Sequence, residues 1–153
     1  MSHQPSATPV NESSAPPVTV ALARPQKYRG GCHCGAVRYE VDLDLEAGTS
    51  RCNCTMCTKG SLWSAIVKPA AFKLLAGEDS LSDYQRGGRF SHFLFCKHCG
   101  VRSFSRGDAP WTGGPYYSVQ VTCLDDANLS NIPVRTFDGL HDNWENPRLE
   151  RTP

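Results

Sequence analysis

The eight cysteines of this 153-residue chain stand at positions 32, 34, 52, 54, 57, 96, 99 and 123. All but Cys123 fall into three tight clusters: C-x-C at 32/34, C-x-C-x-x-C at 52/54/57 and C-x-x-C at 96/99. Thiols grouped in this way ligate metals, exchange disulfides or staple small secreted folds. A ring closed between Cys32 and Cys34 is small and strained, which argues against a staple. Separated thiol pairs are the pattern of zinc ribbons more than of iron–sulfur proteins, so zinc is the expected metal.

Seven thiolates cannot make two closed tetrahedral sites, but they divide as four plus three. Four thiolates close a structural site. Three leave one position for water or substrate, as in a catalytic zinc. Spacing alone leaves the division open. The pairs 32/34 and 96/99 both end in Cys-Gly, with Gly35 and Gly100 free to take a left-handed turn, and make the natural four. Cys52, Cys54 and Cys57 are then the three and the candidate catalytic centre. The alternative is that only the four bind metal and the three are spare thiols. If Cys32–Cys34 is extended, both thiolates share one face and His33 points away. His98 reads as exposed, His92 as a satisfied structural histidine, and Cys123 as a buried free thiol.

These clusters need a scaffold, and its signal is alternation. In VRYEVDL, Val37, Tyr39, Val41 and Leu43 alternate with Arg38, Glu40 and Asp42, as in a half-buried strand. Strands are also expected over 61–68 (SLWSAIVK), 89–96 (RFSHFLFC), 116–124 (YYSVQVTCL) and 134–138 (VRTFD). In the third of these, Tyr117, Val119, Val121 and Cys123 share one face. Ala76-Gly77, Gly87-Gly88 and Gly113-Gly114-Pro115 mark turns. Helical pattern is confined to single turns near Pro69–Phe72 and after Leu124. The expected fold is mostly β, with short strands and knuckle-like turns. Trp63, Trp111, Trp144, Tyr116 and Tyr117 read as core or rim packing, and the late DGLHDNW as a loop of unspecified role.

Composition narrows the function classes. Residues 1–26 hold five of the 11 prolines and no aromatic residue, the composition of a flexible tail, which leaves 27–150 as a single domain. The apolar run VTVALA is too short for a secretory h-region, so the expected compartment is the cytoplasm, with reduced thiols. No apolar run approaches the ~20 residues of a membrane span. A formal charge of +1 without a Lys/Arg run argues against nucleic acid as partner.

The stretches GGCHCGAVRYE, RCNCTMCTKGS and FCKHCG resemble the glutathione-dependent formaldehyde-activating enzyme family, which includes centromere protein V. FKLLAGEDSLSDYQ, CLDD and FDGLHDNWE resemble its later segments, and the likeness runs over about residues 28 to 147. The resemblance implies a zinc-binding fold of the Mss4-like type. It implies one structural zinc on Cys32, Cys34, Cys96 and Cys99 and a second zinc on Cys52, Cys54 and Cys57. The implied activity is a carbon–sulfur lyase type, addition of glutathione to formaldehyde to give S-hydroxymethylglutathione. Glutathione carries two carboxylates, and Arg51 and Lys59, which flank the three-cysteine loop, are the candidates to meet them. A non-catalytic zinc module that binds macromolecules and a thiol redox protein are the competing functions.

Overall fold

The computed structural model describes residues 24–153. The expected tail therefore lies outside the described residues up to position 23. Eleven strands and one short helix, α1 (Thr55–Lys59), make up the regular structure of the described residues, joined by single 3-10 turns. In chain order the strands are β1 (Gln26–Gly31), β2 (Arg38–Leu43), β3 (Thr49–Cys52), β4 (Trp63–Val67), β5 (Phe72–Ala76) and β6 (Leu81–Tyr84). They continue with β7 (Ser91–Cys96), β8 (Phe104–Ala109), β9 (Gly114–Gln120), β10 (Pro133–Asp138) and β11 (Asn143–Arg151). The fold is mostly β, as its alternating segments predict.

Two sheets form. One has the order β1-β2-β5, the other β11-β10-β3-β4-β9-β8-β7-β6. Pairing is antiparallel except between β3 and β10, which run parallel with Cys52 opposite Phe137. That pair joins residues about 85 positions apart and brings the segment after β10 to the three-cysteine loop.

The expected inward face of β2 is correct. Val37, Tyr39, Val41 and Leu43 are at most 4% exposed. Tyr39 meets Phe72 and Phe104 at centroid distances of 5.2 and 5.6 Å, and Phe72 stacks on Tyr117 at 4.1 Å. These rings join the small sheet to the large one. Each large apolar side chain buried in this way contributes roughly 1.5–3 kcal/mol.

Three expectations change. Gln26 already pairs with Leu43, so the ladder begins inside the segment read as tail; main-chain pairing tolerates any side chain that can face solvent. The strand at 116–124 stops at Gln120, and Val121–Cys123 form a 3-10 turn, which breaks the alternation and takes Cys123 off the face of Val119. The helical turn expected after Leu124 is absent, while the one near Pro69 is present at Pro69–Ala71.

One buried polar chain ties together the strands around the three-cysteine loop. The Trp63 indole Nε1–H donates to Thr49 Oγ1 at 2.7 Å, and that hydroxyl donates to the Pro133 carbonyl at 2.9 Å. Thr49 is fully buried, so its hydroxyl is shielded from water. Thr49→Val removes both bonds at nearly constant volume. The expected cost is about 1–3 kcal/mol in denaturant unfolding, because an indole N–H and a carbonyl lose their partner.

Candidate metal centres

The three cysteine clusters condense into two groups: Cys32, Cys34, Cys96 and Cys99, and separately Cys52, Cys54 and Cys57. Within each group all sulfurs lie within 4.8 Å of one another. In the first group Cys34 Sγ is 3.6 Å from Cys32 Sγ and 3.7 Å from Cys96 Sγ. A tetrahedral ion with sulfur ligands at about 2.3 Å needs them about 3.8 Å apart, so the donor set fits zinc. The four-plus-three division is therefore a property of the fold.

The four-cysteine group is built from two similar knuckles. The Cys32 amide donates to the Val37 carbonyl at 3.1 Å, and the Cys96 amide to the Val101 carbonyl at 3.0 Å, an i→i+5 closure in each. Gly35 and Gly100 sit at φ 81° and 74°, left-handed positions that cost other residues more. The extended geometry expected for Cys32–Cys34 is thus replaced by a turn, closed by the Gly35 amide on the Cys32 carbonyl. The two sulfurs still converge, because the turn curls around them. His33 and His98 are exposed. The amides of Cys34 and Val101 hold the Cys99 thiol down to about 6, which favours the thiolate that a metal requires.

The three-cysteine group sits where β3 passes into α1. Cys52 ends the strand and Cys54 is the N-cap of the helix. Burial pushes the Cys54 thiol up, but the Cys57 and Met56 amides and the neighbouring sulfurs outweigh it and the net shift is downward. Burial, followed by the charge of Cys52, pushes Cys57 upward. No fourth Cys, His, Asp or Glu joins them among the described residues.

A cleft of about 320 Å³ opens on this group, lined by Arg51, Cys52, Cys57, Ser61, Trp63 and Thr122 among others. The Arg51 guanidinium lies 4.4 Å over the Trp63 ring, exposed and free to meet an anion. Lys59 is exposed in the last turn of α1 and does not line the cleft. Gln120 shapes the cleft from behind: its Oε1 accepts from the Trp63 amide at 2.8 Å and its Nε2 donates to the Ser61 carbonyl at 3.1 Å.

Sequence reasoning assigned no role to the segment that walls this group. Asn53, between ligands Cys52 and Cys54, donates from Nδ2 to Asp138 at 2.7 Å and accepts from the Leu140 amide at 2.9 Å. Asp138 also bonds His141, and these two partners hold its carboxyl below the usual range. At Gly139 the backbone approaches so closely that a Cβ would lie 2.5 Å from Cys52 Sγ and 2.6 Å from the Trp144 ring. Gly139→Ala therefore displaces a ligand or the loop. Expected are a fall in zinc per protein toward one and a nearly unchanged melting temperature, checked by elemental analysis and thermal denaturation. The signal in the sequence was the glycine of FDGLHDNW, whose meaning depends on the parallel β3–β10 pairing.

The other singled-out residues are structural. His92 bonds Asp83 at 2.6 Å and Gln85 at 3.2 Å, so both ring nitrogens are satisfied. Cys123 belongs to neither thiol group, and burial pushes it up. Trp63 is buried, as expected of core, yet also lines the cleft. Trp111 is exposed and stacks edge-on against Phe90.

A mostly β domain with one complete tetrathiolate set and one incomplete trithiolate set under a cleft defines a zinc-binding protein of the knuckle type. The model of the glutathione-dependent formaldehyde-activating enzyme family matches residues 27–137, and the chain belongs to that family. A crystal structure of a Rhodobacter sphaeroides protein is similar, with 31% sequence identity, a TM-score of 0.59, and coverage of 65% of this chain and 90% of that one.

Proposed function

We propose that the protein is a zinc-dependent carbon–sulfur lyase-type enzyme that joins glutathione to formaldehyde, giving S-hydroxymethylglutathione. The observation that carries the reading is the cleft over Cys52 and Cys57, where three thiols converge and, among the described residues, no fourth ligand completes the set. Family membership supports the substrate class. The compartment is the cytoplasm, where thiols stay reduced, and the partners are a small thiol and an aldehyde rather than nucleic acid.

A zinc ion held by Cys52, Cys54 and Cys57 supplies Lewis acidity that lowers the pKa of a thiol and polarises a carbonyl. The rest falls to the chain's own residues. Arg51, braced on Trp63, meets a glutathione carboxylate at the cleft mouth. Thr122 and Ser61 offer hydroxyls along the wall. Trp63 excludes water from the floor, which strengthens every charge interaction above it. The balance is simple: sulfur bonds to the aldehyde carbon, the C=O becomes C–OH, and the thiol proton ends on that oxygen. No electrons leave the pair.

Two-dimensional exchange NMR of glutathione with formaldehyde tests this. The protein is expected to raise the exchange rate above buffer, and zinc-depleted protein to return it to the buffer rate. Exchange unchanged by intact protein carrying two zinc ions would leave a non-catalytic binding module in place of the enzyme.

A further inference from the structure

Arg102 carries the clearest electrostatic anomaly of the described residues. Its Nε and Nη1 are buried and have no hydrogen-bond partner. A guanidinium does not lose its proton in a protein, and buried donors without partners are rare enough to require a reason. One face of the group lies on the Phe93 ring, with Cζ 5.4 Å from the centroid. The other side presses on the end of α1: a Cβ on Gly60 would stand 2.8 Å from Nη1. Cys57 is one turn back along the same helix; burial pushes the Arg102 guanidinium down, and a charge at Cys57 opposes that only in part. The residue is also absent from the cleft lining, so a substrate in the cleft meets Arg51 and not Arg102.

A divalent ion on three thiolates has a net charge of −1. Held partly out of water, that charge needs a cation nearby, and Arg102 is a cation that needs an anion. We propose that Arg102 is the half-buried counter-charge of the three-cysteine metal site, a positioning residue that acts through Cys57 to favour occupancy of the site. Its place in the chain adds a link. Arg102 follows Cys99 by three residues, so the knuckle of the four-cysteine site carries the residue that packs against the end of α1. The proposal rests on the reading that Cys52, Cys54 and Cys57 hold zinc.

The test is graded zinc removal with a chelator, following each site separately by alkylation of its cysteines and mass spectrometry of the peptides. Wild type is compared with Arg102→Gln, which removes the charge, and Arg102→Lys, which keeps it. Arg102→Gln is expected to weaken zinc at Cys52/54/57 by roughly tenfold or more, the usual scale for groups that support metal ligands. The four-cysteine site stays unmoved, and Arg102→Lys stays within about threefold of wild type at both sites. Added salt leaves most of the difference in place, because a partly buried pair is poorly screened. If Arg102→Gln does not fold, Arg102→Met, which retains the stem's packing on Phe93, repeats the charge removal with the same expected loss. Equal affinities in all variants, equal losses for Gln and Lys, or parallel weakening of both sites would overturn the counter-charge. A wild-type protein that never holds zinc at Cys52/54/57 would instead overturn the underlying site, and this inference with it.

Discussion

Cys96→Ser is expected to lower the melting temperature by more than about 10 °C, and saturating chelator to do the same to the wild type. Cys96 is 1% exposed, and its sulfur lies 3.7 Å from that of Cys34, a residue 62 positions earlier. The four-cysteine site joins the β1–β2 turn of the small sheet to the β7–β8 turn of the large one. It therefore acts as a cross-link whose loss frees two distant segments at once. Binding of a structural zinc in small domains is linked to folding by about 10–16 kcal/mol at neutral pH. In a domain of this size each kcal/mol moves the melting temperature by about 2–4 °C. Losing half of the smaller figure, about 5 kcal/mol, already reaches the threshold given. Circular dichroism during heating measures it. A chelated wild type that melts with the untreated protein would show that the core alone sustains the fold.

Cys54→Ser is expected to reverse that pattern, with the adduct-forming rate falling to that of buffer, by about a hundredfold or more, and a melting temperature within about 4 °C of wild type. Cys54 is half-buried at the N-cap of α1, and serine is itself a good N-cap, so the helix keeps its start. What disappears is one of three ligands, and with it the ion whose polarising effect is worth several kcal/mol. Each 1.4 kcal/mol is tenfold in rate. The pairing of this variant with Cys96→Ser separates chemistry from scaffold. Loss of fold and activity together in both would mean that the two groups are one cooperative structural unit.

The chemistry could be read from the sequence because it depends on residue type and short spacing. Seven cysteines in three clusters, two of them followed by glycine, carried the four-plus-three division into the fold. The inward face of β2 was equally plain, since period-two alternation is a local property. What stayed hidden depends on pairing over distance. β8 reads FSRGDA and β11 reads NWENPRLER, polar runs with no alternation that become strands because a neighbouring ladder accepts them. Asn53 becomes a clamp and Gly139 a close contact only once β10 lies parallel beside β3. Gln120 reads as the polar side of a strand, and only the fold turns it toward Trp63 and Ser61. Arg102 reads as any arginine after a knuckle; its burial against Gly60 is a product of the β7–β8 turn.

The most direct test of the four-plus-three reading is zinc stoichiometry followed through graded chelation, with circular dichroism recorded at each step. Two zinc ions per chain are expected. The first should leave at low chelator with the thiols of Cys52, Cys54 and Cys57 becoming reactive and the fold intact, and the second only as the fold melts. A single tightly held ion, or two ions that leave together as the protein unfolds, would contradict an open site.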